Sequence, residues 1–240
     1  MQRLEGRTAV VTGAASGIGR ALSLRLAELG CHLALCDRNE AGLEETRAAI
    51  QAMGRRVSAH AVDVSNKDRM RALVEEVLAF HGGVNVLVNN AGVTAISTFE
   101  NQPLEDFEWL MGVNFWGVIY GCKFFLPALK NAEEAHIVNL SSVFGILGVP
   151  MQSSYCASKF AIRGFSESLR AELSSTGIGV TSVHPAGIAT NIAKDGRYAG
   201  KEASPKMQAN LVSDFANKML PADKAAEKII RGIMKNRPRV

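Results

Sequence analysis

The chain is poor in the features that mark secreted, metal-binding or membrane proteins. Its four cysteines, Cys31, Cys36, Cys122 and Cys156, form no C-x-x-C pair and show no metal-ligand spacing. That pattern argues against a disulfide framework and a zinc site, and it leads us to expect reduced thiols in a cytoplasmic protein. Long hydrophobic runs are also lacking. The longest, around 117–129, contains Lys123 and reads as too short to span a bilayer. No leader is expected, because Gly6-Arg7-Thr8-Ala9-Val10-Val11 passes straight into a strand pattern. The net charge is only +4, and the basic residues are scattered apart from Lys235, Arg237 and Arg239. Without aromatic interleaving they do not describe a nucleic-acid surface. Internal repeats, low-complexity segments and Pro/Gly/Ser linkers are missing too, so one domain over 1–240 is expected.

What is present is an alternation of short β-rich runs with longer helical patterns. Strands are expected at Thr8–Thr12, His32–Cys36, Arg56–Ala61, Val84–Asn89, His136–Leu140 and Gly179–His184. Helices are expected near Gly17–Leu29, Ala41–Met53, Lys67–His81, Leu104–Lys130 and Ser153–Ser175. Strands that are nearly all apolar are buried on both faces. Alternating with helices, they imply an α/β fold with a doubly wound, Rossmann-like parallel sheet in three αβα layers. After His184 the pattern loosens. The segment 188–220 carries Gly196, Gly200 and Pro205 with weak helical periodicity, which suggests a functional lid. Pro221-Ala222-Asp223 opens a last helix to about Asn236, and Arg237-Pro238-Arg239-Val240 reads as the start of a seventh strand that is missing or truncated.

Three groups of residues suggest chemistry. Thr12-Gly13-Ala14-Ala15-Ser16-Gly17-Ile18-Gly19 lies after the first strand and opens the first helix. Glycines there permit a tight turn and close approach of a pyrophosphate, and the helix N-terminus supplies N–H donors. Asp37 ends the second strand, where a carboxylate can hold both ribose hydroxyls of NAD and repel a 2′-phosphate; Arg38 offers the opposite pairing, as for NADP. NAD is favoured over NADP. Asp63-Val64 closes the third strand, and Asp63 is either an acceptor for an adenine amino group or the N-cap of the next helix. Finally, Tyr155 and Lys159 are four residues apart on one helical face, with Ser142 thirteen positions upstream. A cation beside a phenol favours the phenolate, and this pair therefore reads as a general acid/base supported by a serine hydroxyl.

Taken in order, Thr12–Gly19, Asp63, Asn89-Asn90-Ala91-Gly92, Asn114, Ser142, Tyr155 with Lys159, and Pro185 through Thr190 resemble the motifs of the short-chain dehydrogenase/reductase family in its compact single-domain form. The resemblance covers nearly the whole chain. It implies an NAD(P)-dependent oxidoreductase that interconverts a secondary alcohol and a ketone. Tyr155 would exchange the proton, Ser142 would hold the substrate oxygen, and Lys159 would lower the tyrosine pKa and bind the nicotinamide ribose. Asn114 would kink its helix and hold a water in a relay to Lys159. Gly13, Ser16, Gly17, Ile18, Gly19, Asn90, Ala91, Gly92, Pro185, Gly187, Ile188 and Thr190 would contact the cofactor, with Thr12 bonded to the 89–92 turn. One departure is Ala186, where the family has glycine, and a Cβ there would restrict a turn needing positive φ. The resemblance also implies a homo-tetramer, or a homo-dimer if the last strand is incomplete. Ile146, Leu147, Val149, Met151, Met207 and Leu211 suggest an apolar substrate pocket. A catalytically silent nucleotide-binding scaffold is the competing reading, and the complete Ser142/Tyr155/Lys159 set argues against it.

Overall fold

The computed structural model describes residues 1 and 3–240. In chain order the strands are β1 (Thr8–Thr12), β2 (His32–Asp37), β3 (Val57–Ala61), β4 (Val86–Asn89), β5 (Ala95–Ile96), β6 (Ala135–Leu140), β7 (Ile178–Val183) and β8 (Arg197–Tyr198). The helices are α1 (Gly17–Glu28), α2 (Glu40–Ala52), α3 (Lys67–His81), α4 (Leu104–Met111), α5 (Gly117–Lys130), α6 (Ser153–Glu172), α7 (Pro205–Asn217) and α8 (Ala222–Met234). Six strands form one parallel sheet in the order β3-β2-β1-β4-β6-β7. The chain winds outward from β1 in both directions, which opens a crevice at the C-terminal ends of β1 and β4.

Period-two alternation along each strand feeds two separate cores. Val11, Leu33 and Val88 point to one face, where Leu22 and Leu26 of α1 meet Ile229 and Ile233 of α8. Val10, Leu87 and Ile137 point to the other, against Met70 of α3, Phe125 of α5 and Ile162 of α6. Local chemistry sets several helix ends. Asn39 accepts from Gly42 N and Asn66 from Arg69 N at the starts of α2 and α3, and Gly82 closes α3 in a left-handed conformation. The N-cap alternative for Asp63 is therefore not what the structure shows: Asn66 caps α3, and Asp63 Oδ1 accepts from the backbone and hydroxyl of Ser65.

Three features differ from the sequence reading. The expected helix 104–130 is divided by a π-helical turn over Gly112–Trp116. Continuous helical geometry through that turn makes a run of 27 residues, which by length and composition could cross a membrane. The expectation that the apolar stretch is too short was drawn from 117–129 alone. In this fold the run lies against the sheet, with Leu110, Phe125 and Leu129 fully buried. At the other end, residues 238–240 run parallel to β7: Ser182 N donates to Pro238 O and Val240 N to Ser182 O, with one bridge at Arg239. The segment expected to be irregular contains α7 and also β8, which pairs with β5 in a separate two-stranded sheet.

Candidate active site

The crevice at the ends of β1 and β4 is a cavity of about 870 Å³. At one end Gly13, Ser16, Gly17 and Ile18 form its wall. Gly13 and Gly17 have φ of 67° and 53°, conformations that L-residues rarely adopt. Gly19 is buried behind the wall; a Cβ there would collide with the Gly13 carbonyl, so its role is to let the turn close. Ser16 stands at the N-cap of α1 without a side-chain capping bond, and the first turn of α1 carries no acidic residue. This uncapped, acid-free helix start facing a cavity suits an anion. Asp37 is held at the rim, its Oδ2 accepting from Ala15 N at 3.0 Å and its Oδ1 from Asn39 N at 3.0 Å. Arg38, Asp63 and Val64 line the same end, and Arg38 is exposed. A polar anion cradle, a fixed carboxylate beside it and an apolar floor at Val62 and Val64 together fit a dinucleotide.

The 89–92 turn forms the middle of the wall. The Thr12 hydroxyl accepts from Asn90 N at 3.0 Å and Ala91 N at 3.1 Å, while Asn90 Nδ2 donates to Thr12 O at 2.8 Å. Asn114 lies in the π-helical turn and is fully buried. Its Oδ1 accepts from Val93 N at 2.8 Å, and its Nδ2 donates to Val93 O at 3.0 Å and Ser158 Oγ at 3.2 Å. It therefore sits where the α-helical ladder gives way to a π-helical turn, and it stands behind the cavity rather than on its lining. Pro185, Ala186, Gly187, Ile188 and Thr190 complete this part of the wall. Ala186 does not have positive φ, so its Cβ costs nothing there. Gly187 is the constrained position instead, because a Cβ would strike the Met219 sulfur.

Ser142, Tyr155 and Lys159 converge on the cavity, as their spacing suggested. The Ser142 hydroxyl donates to Pro185 O at 3.4 Å and accepts from Phe144 N at 3.1 Å on the same wall as Tyr155. Lys159 Nζ lies 5.4 Å from the centre of the Tyr155 ring and donates to Leu140 O at 2.8 Å. Burial pushes the phenol up to about 12, outweighing the nearby Ser142 hydroxyl, which lowers it. Burial also brings the ammonium down to about 8. The expectation that Lys159 depresses the tyrosine pKa is corrected for this arrangement: both groups are shifted towards their neutral forms by removal from water.

Comparison with known proteins settles what kind of chain this is. Residues 7–199 match the family model described as short chain dehydrogenase. The chain belongs to that family. The dehydrogenase is 39% identical over 245 residues to SadH of Mycobacterium tuberculosis, named as an oxidoreductase, covering 100% of this chain and 87% of the relative. It is 34% identical over 188 residues to the 3-oxoacyl-[acyl-carrier-protein] reductase FabG of Thermotoga maritima, covering 78% of this chain and 76% of the relative. Among solved structures, a short chain dehydrogenase/reductase from Burkholderia phymatum in complex with NAD superposes with a TM-score of 0.94 at 32% identity, covering 100% of this chain and 90% of that one.

The substrate end of the dehydrogenase's cavity was only partly read from sequence. Val149, Met151, Met207 and Leu211 do line it. Ile146 and Leu147 do not; they are 51% and 46% exposed on the loop before α6. Phe144, Phe215 and Met219 lie in segments expected to form the pocket, 143–149 and 188–220, but were not singled out, and Gln152 was missed. Phe215 had a usable signal, since it continues the Met207, Leu211 spacing by one more helical turn.

Proposed function

We propose that this dehydrogenase interconverts a secondary alcohol and a ketone, acting as one unit over 1–240 with 188–220 as the substrate lid. A bound nicotinamide dinucleotide would supply or accept the hydride. The nucleotide end would hold it through the α1 N-terminus, the backbone of 90–92 and the Asp37 carboxylate. NAD is the preferred form in this reading, because Asp37 is fixed at the rim by two backbone donors and would oppose a 2′-phosphate. Solved relatives bound to NAD support the same choice.

The substrate oxygen would sit between Ser142 Oγ and Tyr155 Oη. Ser142 would orient and polarise it while Tyr155 gives it a proton in ketone reduction or takes one in alcohol oxidation. Lys159 would hold the nicotinamide ribose through its ammonium donors. Asn114 would keep the 92–93 backbone and the α6 face in register with Lys159 and host the relay water beside it. Four buried thiols fit a reducing, cytoplasmic setting, and the exposed faces of α4 to α6 fit self-association. The observation that carries this reading is the convergence of Ser142, Tyr155 and Lys159 on the cavity that begins at the glycine turn.

Tyr155→Phe tests it. Titration with NADH and NADPH should show unchanged affinity and a preference for NADH. Turnover of any accepted alcohol or ketone should fall at least about a hundredfold, as expected on removing a general acid/base. Undiminished turnover in that variant would overturn the assignment.

A further inference from the structure

Helix α7 is well formed, with Ser204 Oγ accepting from Met207 N at its N-cap and proline at its start, yet none of its residues is buried. Its apolar side chains are not scattered. Met207, Leu211 and Phe215 recur every fourth residue, share one face, and all three line the cavity while only half-buried. A helix normally buries such a stripe against the core; here it faces space. Phe144, Met151 and Met219 add further apolar lining to the same cavity. Thioether side chains adapt to irregular apolar shapes.

Charge on the lining is unevenly distributed. The basic side chains on the cavity wall, among the described residues, are Arg38 and Lys159. Arg38 lies next to Asp37 at the nucleotide end, and Lys159 Nζ is turned to Leu140 O. Lys206 in the first turn of α7 and Lys218 at its C-cap are exposed and do not line the cavity. Lys194 is exposed and lines a smaller neighbouring cavity with Val212 and Ala216 of α7, and the carboxylates on the main lining are Asp37, Asp63 and the exposed Asp195. An anionic substrate group settling among Met207, Leu211 and Phe215 would leave water and find no cation on this lining besides Arg38 and Lys159.

We propose that α7 is the recognition helix for the apolar part of an elongated, uncharged ketone or alcohol, and that this half of the cavity rejects carboxylated or phosphorylated analogues. The inference rests on the oxidoreductase reading above and adds to it the substrate class and the residues that select it. Met207, Leu211 and Phe215 are specificity-determining residues, brought under cover by the substrate chain rather than by the protein.

The test compares neutral 2-alkanones of increasing length with ketones of matching length that end in a carboxylate, using NADH as reductant. For the neutral series kcat/KM should rise about fourfold per added methylene until the cavity is filled. The carboxylated series should be at least about a hundredfold poorer. Leu211→Arg, on a helix without buried residues, should improve the carboxylated ketones and weaken the long neutral ones. A flat neutral series, or carboxylated ketones turned over equally well, would overturn the proposal. Calorimetric titration of Tyr155→Phe with 2-decanone and its carboxylated counterpart separates the two readings. Selective binding of the neutral ketone without turnover in the unsubstituted enzyme would sink the oxidoreductase reading and leave the pocket assignment standing. Equal binding of the anion would sink the pocket assignment whatever the turnover.

Discussion

His136 sits on β6 with no exposure, its Nε2 2.8 Å from the Thr181 hydroxyl, which donates its single proton to Arg237 O. The imidazole must therefore be the donor, leaving Nδ1 as a bare acceptor, and that atom has no partner. Gly179 packs directly against it; a Cβ there would overlap the ring. Burial, aided by the Arg170 charge, brings the His136 pKa down from 6.5 to about 3. The unfolded chain thus binds a proton that the folded chain refuses between those values, so this contribution is complete above pH 6.5 and lost as pH falls. By about pH 5 the loss from this residue is about 2 kcal/mol. His136→Gln should flatten the fall in urea-unfolding stability between about pH 6.5 and 5 relative to the unsubstituted protein, and identical slopes would refute the assignment. The same force acts at Tyr155 and Lys159. Their spacing was legible because four residues on a helix is a geometric statement, but the sign of the tyrosine shift was not. Burial depends on how deep the fold places the pair, and the sequence carries no direct measure of that depth.

Between α4 and α5 the ladder loosens into the Gly112–Trp116 π-helical turn because Asn114 is committed elsewhere. Its amide bonds both backbone groups of Val93 and the Ser158 hydroxyl, tying the wall after β4 to α6. Asn114→Ala would strand those groups in a buried setting, at a cost of at least about 2 kcal/mol. Asn114→Asp keeps the acceptor for Val93 N but sets a buried carboxylate oxygen against two acceptors, Val93 O and Ser158 Oγ, and should lose more. Urea unfolding of the two variants checks the order, and equal stabilities would remove the tie. Helix starts were legible because Asn39 and Asn66 announce themselves locally. The break in 104–130 was legible only through the family resemblance, as a kink at Asn114, since its physical cause is a partner 21 residues away in sequence. Strands β5 and β8 have two residues each, too few for any alternation to register. Their pairing is nonetheless reinforced from outside, with Arg197 bonded to Asp106 at 2.6 Å and stacked 3.8 Å from the Trp109 ring centre.

Across the whole molecule, the apolar strand runs and the βαβ alternation made the three layers readable, and the motifs read in order, from the glycine turn to Ser142, Tyr155 and Lys159, line one cavity. The substrate wall was less readable because loop residues carry no periodicity to say which way they point. Ile146 and Leu147 were expected to line the pocket and face outward, although Met151, five residues after Ile146, lines it as expected. Exposed apolar surface also has a pattern at this scale. Trp116, Tyr120 and Phe124 stack along α5 with ring centres 5.8 and 6.0 Å apart. Trp116 is 48% exposed, and Phe160 on α6 and Leu104 on α4 are 43% and 67% exposed. Scattered apolar residues need no explanation, but a stacked aromatic row flanked by further exposed apolar side chains on neighbouring helices is a surface that association would cover. The expected solution state is therefore a dimer or tetramer built on this face. Replacing Trp116 and Tyr120 together by glutamate would place two charges in that contact, which tolerates them poorly when desolvated. Light scattering should then report a single-chain mass with secondary structure retained. A monomeric unsubstituted protein at micromolar concentration, or an unchanged oligomer in the double variant, would show that this face is not the contact.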